Sequence, residues 1–165
     1  MSERCRGAMI TLIDNDLLDA VAAAAQASPR RRKNRNFHPA EDFPCHRLLN
    51  GIEPGSYVAP HRHLDENKDE TMLVLRGRVA LVTFDDAGQP VQRAVLAAGS
   101  KCVGVDIGHG TWHTVFALAP GSIFLEAKAG PYLALSEAER APWAPAEGAP
   151  AAASYLEALA RLFAE

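Results

Sequence analysis

From Cys45 to Lys128 the sequence breaks into short apolar and β-branched runs, each closed by turn residues, with no helical period between them. Segments 45–52, 57–63, 71–75, 79–84, 91–96, 101–106, 112–118 and 122–128 read as strands. Asp85-Asp86-Ala87-Gly88 supplies a hairpin turn, and Ala98-Gly99, Gly108 to Gly110 and Pro120-Gly121 punctuate the rest. Many short strands at such spacing make a mainly β fold, a double-sheet jelly roll. Helical patterning is confined to the two ends. Asp14 or Asp16 can cap a helix with Leu17, Leu18, Val21, Ala24 and Ala25 on one stripe, ended by Ser28-Pro29. A final helix, from about Ala151 to Phe163, carries Tyr155, Leu159, Leu162 and Phe163 as its apolar stripe. The chain therefore reads as one domain in four parts: a disordered lead 1–8, a helix and basic segment 9–40, a barrel 41–130, and an arm with a helix 131–165.

Within this β region one pattern carries chemistry. His61 and His63 stand two apart on an extended run, so their side chains share a face. Glu70 opens the next strand after a polar loop, and Gly77 closes it. Gly108-His109-Gly110-Thr111-Trp112-His113 then offers a fourth ligand. Three imidazoles and one carboxylate suit a divalent transition metal, and Zn, Fe, Ni and Mn all accept such a set. With a divalent ion the four-ligand site keeps a net positive charge. His113 lies on a strand and is the expected ligand, whereas His109, between glycines in a turn, suits a substrate contact.

These residues resemble the cupin motifs. Gly55, His61, His63, Glu70 and Gly77 match the first, with a longer loop before Glu70. Gly110 and His113 match the second, in which Gly108 replaces the usual Pro and Ala117 the usual Asn. The surrounding text, from Ser28-Pro29-Arg30 through Lys68-Asp69-Glu70-Thr71 and Gly130-Pro131-Tyr132 to Ala141-Pro142-Trp143, is similar to the WbuC-type cupin metalloproteins. That likeness runs over nearly the whole chain from Met9. It implies a double-stranded β-helix, a cupin barrel, flanked by an N-terminal and a C-terminal helix, and a homodimer. It also implies one metal per chain held by His61, His63, Glu70 and His113, and a sugar-derived substrate of surface-polysaccharide (O-antigen) biosynthesis. An isomerase- or epimerase-like enzyme, an Fe-dependent dioxygenase and a non-catalytic carbohydrate- or anion-binding module all remain compatible with these ligands.

Other candidates surround the centre. Tyr57 shares a face with the histidines, so its hydroxyl is a catalytic candidate with His109. Lys68 and the run Arg30-Arg31-Arg32-Lys33-Asn34-Arg35 are candidates for substrate contact, with Arg31, Arg32 and Arg35 as anion-binding forks. The competing reading of the run is a solvated or partner-facing charge segment. His38 and His46 are expected bystanders. Alternation with Ile123, Leu125 and Ala127 places Glu126 and Lys128 towards solvent; the opposite orientation, with Phe124 inward, would make them a proton-transfer pair. Trp112 and Phe116, opposite His113, need a cover that a terminal helix or a second subunit could supply.

Composition limits the partners. A formal net charge of −3 argues against nucleic acid. No apolar run approaches a membrane span, and the opening Met1 to Arg6 does not read as a signal peptide. Cys5, Cys45 and Cys102, odd in number and without CxxC spacing, read as reduced cytoplasmic thiols. The expected partner is an anionic or sugar-derived small molecule.

Overall fold

A computed structural model describes residues 10–164, so the expected lead 1–8 lies outside the described residues. Helix α1 (Asn15–Ala27) is followed by strands β1 (Arg32–Asn36), β2 (Cys45–Ile52), β3 (Glu70–Arg76), β4 (Arg78–Phe84), β5 (Pro90–Ala97), β6 (Gly104–Ile107), β7 (Trp112–Ala117) and β8 (Ser122–Ala129). A 3₁₀ turn (Glu137–Glu139) and helix α2 (Ala152–Arg161) complete the order. The strands form two antiparallel sheets, β1-β2-β8-β3-β6 and β5-β4-β7, in a jelly-roll arrangement.

Four layers result, because each sheet is apolar on both faces. Between the sheets lie Ile52, Met72, Val74, Val79, Leu81, Val115 and Phe124. Helix α1, capped by the Asp14 carboxylate accepting from Leu17 N–H at 3.0 Å, lays Leu18, Val21 and Ala22 over Leu49 and Ile123 on the outside of the larger sheet. The contact is close: a Cβ on Gly51 would stand 2.8 Å from the Val21 carbonyl oxygen. Outside the smaller sheet, Phe84, Trp112 and Phe116 are covered by Ala141, Leu156 and Leu159 of the arm and α2. The chain thus supplies the cover that Trp112 and Phe116 require. Gly77, at φ 75° between β3 and β4, has no room for a Cβ against Ser122.

Two expected elements differ. Segment 57–63 is an extended strap and not a regular strand. His61 exchanges backbone hydrogen bonds with His113 at 3.0 and 2.9 Å, and Arg62 N–H donates to the Glu139 carbonyl at 3.0 Å. On the arm side Pro60 accepts from Ala141 N–H at 3.2 Å but has no N–H to return. The basic run, in turn, does not precede the sheet. Its last four residues, Arg32 to Arg35, lie in β1, which pairs with β2 from Arg32 opposite Ile52 to Asn36 opposite Leu48. Charged residues suit that position, since an edge strand has one neighbour and open solvent beside it. The segment read as 101–106 forms a strand only over Gly104–Ile107.

Candidate metal centre

Glu70 is the hub of the site. It opens β3, its side chain is only 3% exposed, and the strap and β7 bring histidines to both of its oxygens. His63 Nε2 lies 3.2 Å from Oε1, and His113 Nε2 lies 3.1 Å from Oε2. One ligand atom each of His61, His63 and Glu70 falls within 4.8 Å of the others, so these three could hold a metal ion. His113 joins through Glu70 and through His61, whose ring centroid is 4.6 Å away, more than through His63 at 6.3 Å.

The donor chemistry fits a cation. His61 Nδ1 lies 3.0 Å from the Ala59 carbonyl and His113 Nδ1 2.9 Å from the Thr111 carbonyl. Donation to those carbonyls places the proton on Nδ1 and leaves Nε2 as a lone pair facing the site. For His113 this sets a lone pair against a carboxylate oxygen, a repulsive contact unless a proton or cation lies between them. Burial, with the neighbouring His113, pushes the His61 imidazole down to about 3, so it is a neutral donor at ordinary pH.

β8 contributes what alternation alone misassigned. Lys128 stands directly opposite Glu70 in the β3–β8 register, and Glu126 opposite Met72, so both point inward. The apolar residues Ile123 and Leu125 face α1 instead. Lys128 Nζ donates to Glu70 Oε1 at 2.7 Å and to Glu126 Oε1 at 2.8 Å, while Asn50 Nδ2 donates to Glu126 Oε2 at 2.9 Å. Burial opposes the charge on Lys128, but the two carboxylates outweigh it and hold the ammonium above its usual value. Burial raises Glu126. Glu70 is also opposed by burial; with a proton on the facing Nε2 atoms, hydrogen bonding from His113 and His63, together with the charge of Lys128, holds it well below the carboxylate range. The centre therefore joins a preformed donor set to a fixed ammonium and a buried acid.

A cavity of about 280 Å³ opens onto this group. Its inner wall includes His61, Glu70, His113, Asn50, Glu126 and Lys128, and Arg30, Arg32 and Lys33 also line it. Of the forks expected from the basic run, only Arg32 reaches the cavity. Arg35 lines a shallow groove against α1, and exposed Arg31 turns away at φ 54°. Arg30, just before β1, and Lys33, within it, line the cavity beside Arg32.

The remaining candidates separate from the centre. The Tyr57 hydroxyl does not enter the barrel; it donates to the Pro145 carbonyl at 2.7 Å in the outer layer, where burial raises its pKa. The strap's departure from strand geometry removes the face that Tyr57 was expected to share with the histidines. His109 lies in an exposed turn, where its ring Nδ1 and backbone N–H meet Asp69 Oδ1 at 2.9 and 2.7 Å. Lys68 is buried and spends its ammonium on the Pro131 carbonyl at 2.8 Å, beside a second opening lined by His61, His63 and Lys128. His38 and His46 stack on each other with centroids 3.9 Å apart.

Comparison with known proteins assigns the chain to a family without assigning a reaction. Residues 13–96, which include His61, His63 and Glu70, match the model described as "Domain of unknown function (DUF6016)". The chain belongs to the DUF6016 family. The matched span ends before His113, Glu126 and Lys128, so the β7 and β8 half of the centre lies outside it. None of the curated proteins compared matches. Among solved structures, KdgF from Halomonas sp. is 19% identical over 65% of this chain and 85% of its own, with a TM-score of 0.48. A cupin superfamily protein from Desulfitobacterium hafniense is 13% identical over 66% and 86%, at 0.49. An oxalate oxidase in complex with the substrate analogue glycolate is 15% identical over 65% and 56%, also at 0.49.

Proposed function

We propose that this protein binds one divalent transition metal per chain through His61, His63, Glu70 and His113, and holds an anionic or sugar-derived small molecule in the adjoining cavity. The observation that carries the reading is the convergence of imidazole Nε2 atoms on the buried Glu70 beside a cavity that is also lined by cationic side chains. A bound divalent ion would supply Lewis acidity to a ligand hydroxyl or carbonyl. Lys128 supports the same reading, since its ammonium stands next to the centre and can bond a ligand oxygen. Asn50 and Lys128 fix both Glu126 oxygens, so the acid keeps one orientation towards the cavity. The WbuC-type resemblance supports a sugar-derived ligand, with a place in surface-polysaccharide assembly in the cytoplasm. It also supports a homodimer, for which exposed Leu73 and Val103, beside the β3–β6 edge, offer apolar surface.

A non-catalytic binding module is the second reading. Glu126 and Lys128 are bonded to each other, an arrangement suited to holding charge in place. Assay of the metal-replete protein against a panel of sugar nucleotides, with calorimetry on the same panel, separates the two. Turnover supports the enzyme, binding without turnover supports the module, and neither outcome from any anionic ligand removes the proposal.

A further inference from the structure

The cavity rim carries an ion cluster that the metal centre does not use. Glu147, on the C-terminal arm, lies against two arginines of the basic run. Arg30 grips it as a fork, Nε to Oε1 at 2.6 Å and Nη2 to Oε2 at 2.8 Å. Arg32 Nη2 adds a bond to Oε2 at 2.6 Å. The Arg32 half of this cradle is built in advance. Arg32, only 18% exposed, has its other terminal nitrogen fixed by the Tyr57 carbonyl at 3.0 Å and by Ser56 Oγ at 3.2 Å. The buried Ser56 hydroxyl in turn donates to the Arg30 carbonyl at 2.7 Å. Between the two arginines stands Arg31, the one non-glycine residue with positive φ among the described residues. Its backbone is held by bonds to Ser28 and Glu53 at 2.8 and 2.9 Å. A strained residue kept in place by its surroundings commonly marks a functional site.

The position matters as much as the chemistry. Arg30, Arg32 and His61 line the metal cavity and also a neighbouring space, about 280 Å³, beneath arm residues Leu135 to Glu147. Among the described residues that line this space, Glu147 is the one acidic side chain. Two guanidinium groups against one carboxylate leave a net positive charge, so a ligand dianion balances the cradle better than Glu147 does. Glu147 is also easy to release. Its side chain is 38% exposed and it precedes Gly148 in a turn, so water can take over its hydrogen bonds as it leaves the cradle. The arm has a separate anchor in Trp143, which packs on Phe84 and Trp112 with centroids 4.8 and 6.1 Å away.

We propose that Arg30 and Arg32 form a recognition site for a carboxylate or phosphate group of the ligand, and that Glu147 is its built-in occupant, displaced when that group binds. This rests on the reading that the cavity accepts an anionic ligand. Planar guanidinium forks suit both anions, which present paired oxygens. While Glu147 sits in the cradle, only the fraction of molecules with the arm released can bind, and the apparent affinity is reduced by that fraction.

Malonate and inorganic phosphate, titrated calorimetrically into the metal-replete protein, test the proposal. Glu147→Gln is expected to bind either anion roughly fivefold more tightly than the natural protein, as release of one exposed ion cluster implies. Arg30→Gln is expected to bind roughly tenfold more weakly, and both affinities should fall with salt. Hydrogen exchange at 144–149 should accelerate when the natural protein is saturated with anion. Equal or weaker binding by Glu147→Gln, or unchanged exchange in the arm, overturns the displacement while leaving the anionic-ligand reading in place. Failure of both proteins to bind malonate and phosphate overturns both readings. Arg32 also holds the strap, so Arg30→Gln and Glu147→Gln carry the test.

Discussion

Replacing Lys128 by Met tests whether the centre is built around a cation. The ammonium lies 2.7 Å from Glu70 Oε1 and 2.8 Å from Glu126 Oε1, and those carboxylates are 3% and 10% exposed. Removing one partner of a buried ion pair costs about 3–5 kcal/mol, because the remaining charge is left without compensation. The lower end applies here. Lys128 is itself 22% exposed, and Asn50 still donates to Glu126. A loss of about 3 kcal/mol corresponds to a Tm about 6–12 °C lower for a chain of this size. A divalent ion at Glu70 restores positive charge where the ammonium was, and it no longer competes with Lys128 for Oε1. Metal at about a hundredfold excess over its Kd adds about 2.7 kcal/mol, so the variant should recover more of its Tm on metal addition than the natural protein gains. Thermal unfolding by circular dichroism, in chelator and with Zn(II) or Mn(II), measures both quantities. A loss under about 1 kcal/mol in chelator, or equal metal-induced gains in the two proteins, would refute the reasoning. Adding Glu126→Leu to Lys128→Met should restore part of the stability, since it removes the stranded acid.

Three further outcomes follow from the same structure. His113→Ala should weaken metal binding far more than His109→Ala, measured by calorimetry, because His113 Nε2 meets Glu70 whereas His109 is paired with Asp69 in an exposed turn; equal losses would contradict the ligand set. Gly51→Ala should destabilise the fold by about 1–3 kcal/mol in urea unfolding, since its Cβ would press on the Val21 carbonyl of α1. Glu139 accepts backbone N–H bonds from Leu64 and Ser136 at 3.0 and 2.9 Å, which hold it down to about 2 from an ordinary 4.5. A depressed carboxylate stabilises the fold above its unfolded value, and the effect is lost as pH falls from 4.5 towards 2. Glu139→Gln should therefore flatten the acid limb of the stability profile in that window.

Much of this architecture is legible in the sequence, and the limits have physical causes. Strand β2 coincides with the apolar run 45–52, and the hairpin at Asp85 to Gly88 joins β4 to β5 as its turn residues imply. Spacing also indicates the neighbours of Glu70, because His61 and His63 precede it by a short loop and His113 follows a glycine turn. Alternation fails at β8, where α1 covers the outer face. Ile123 and Leu125 are apolar because they meet a helix, so polarity no longer identifies the solvent side. It fails again at Tyr57, since the strap follows the backbone of His113 and Glu139 instead of a sheet. The Arg30–Glu147 and Arg32–Glu147 pairs join positions more than 100 residues apart, at separations of 117 and 115, and no local pattern encodes them. Asn50 carries no local signal either, since the β2–β8 register is what brings it to Glu126.

Metal content is the most direct test of the central claim. Protein purified without added metal, and analysed by inductively coupled plasma mass spectrometry, should contain about one divalent transition metal ion per chain, and His61→Ala with His63→Ala should contain none. Full metal content in the folded double variant, or no metal bound by the natural protein even after incubation with Zn, Fe, Ni and Mn salts, would contradict the assignment of His61, His63, Glu70 and His113.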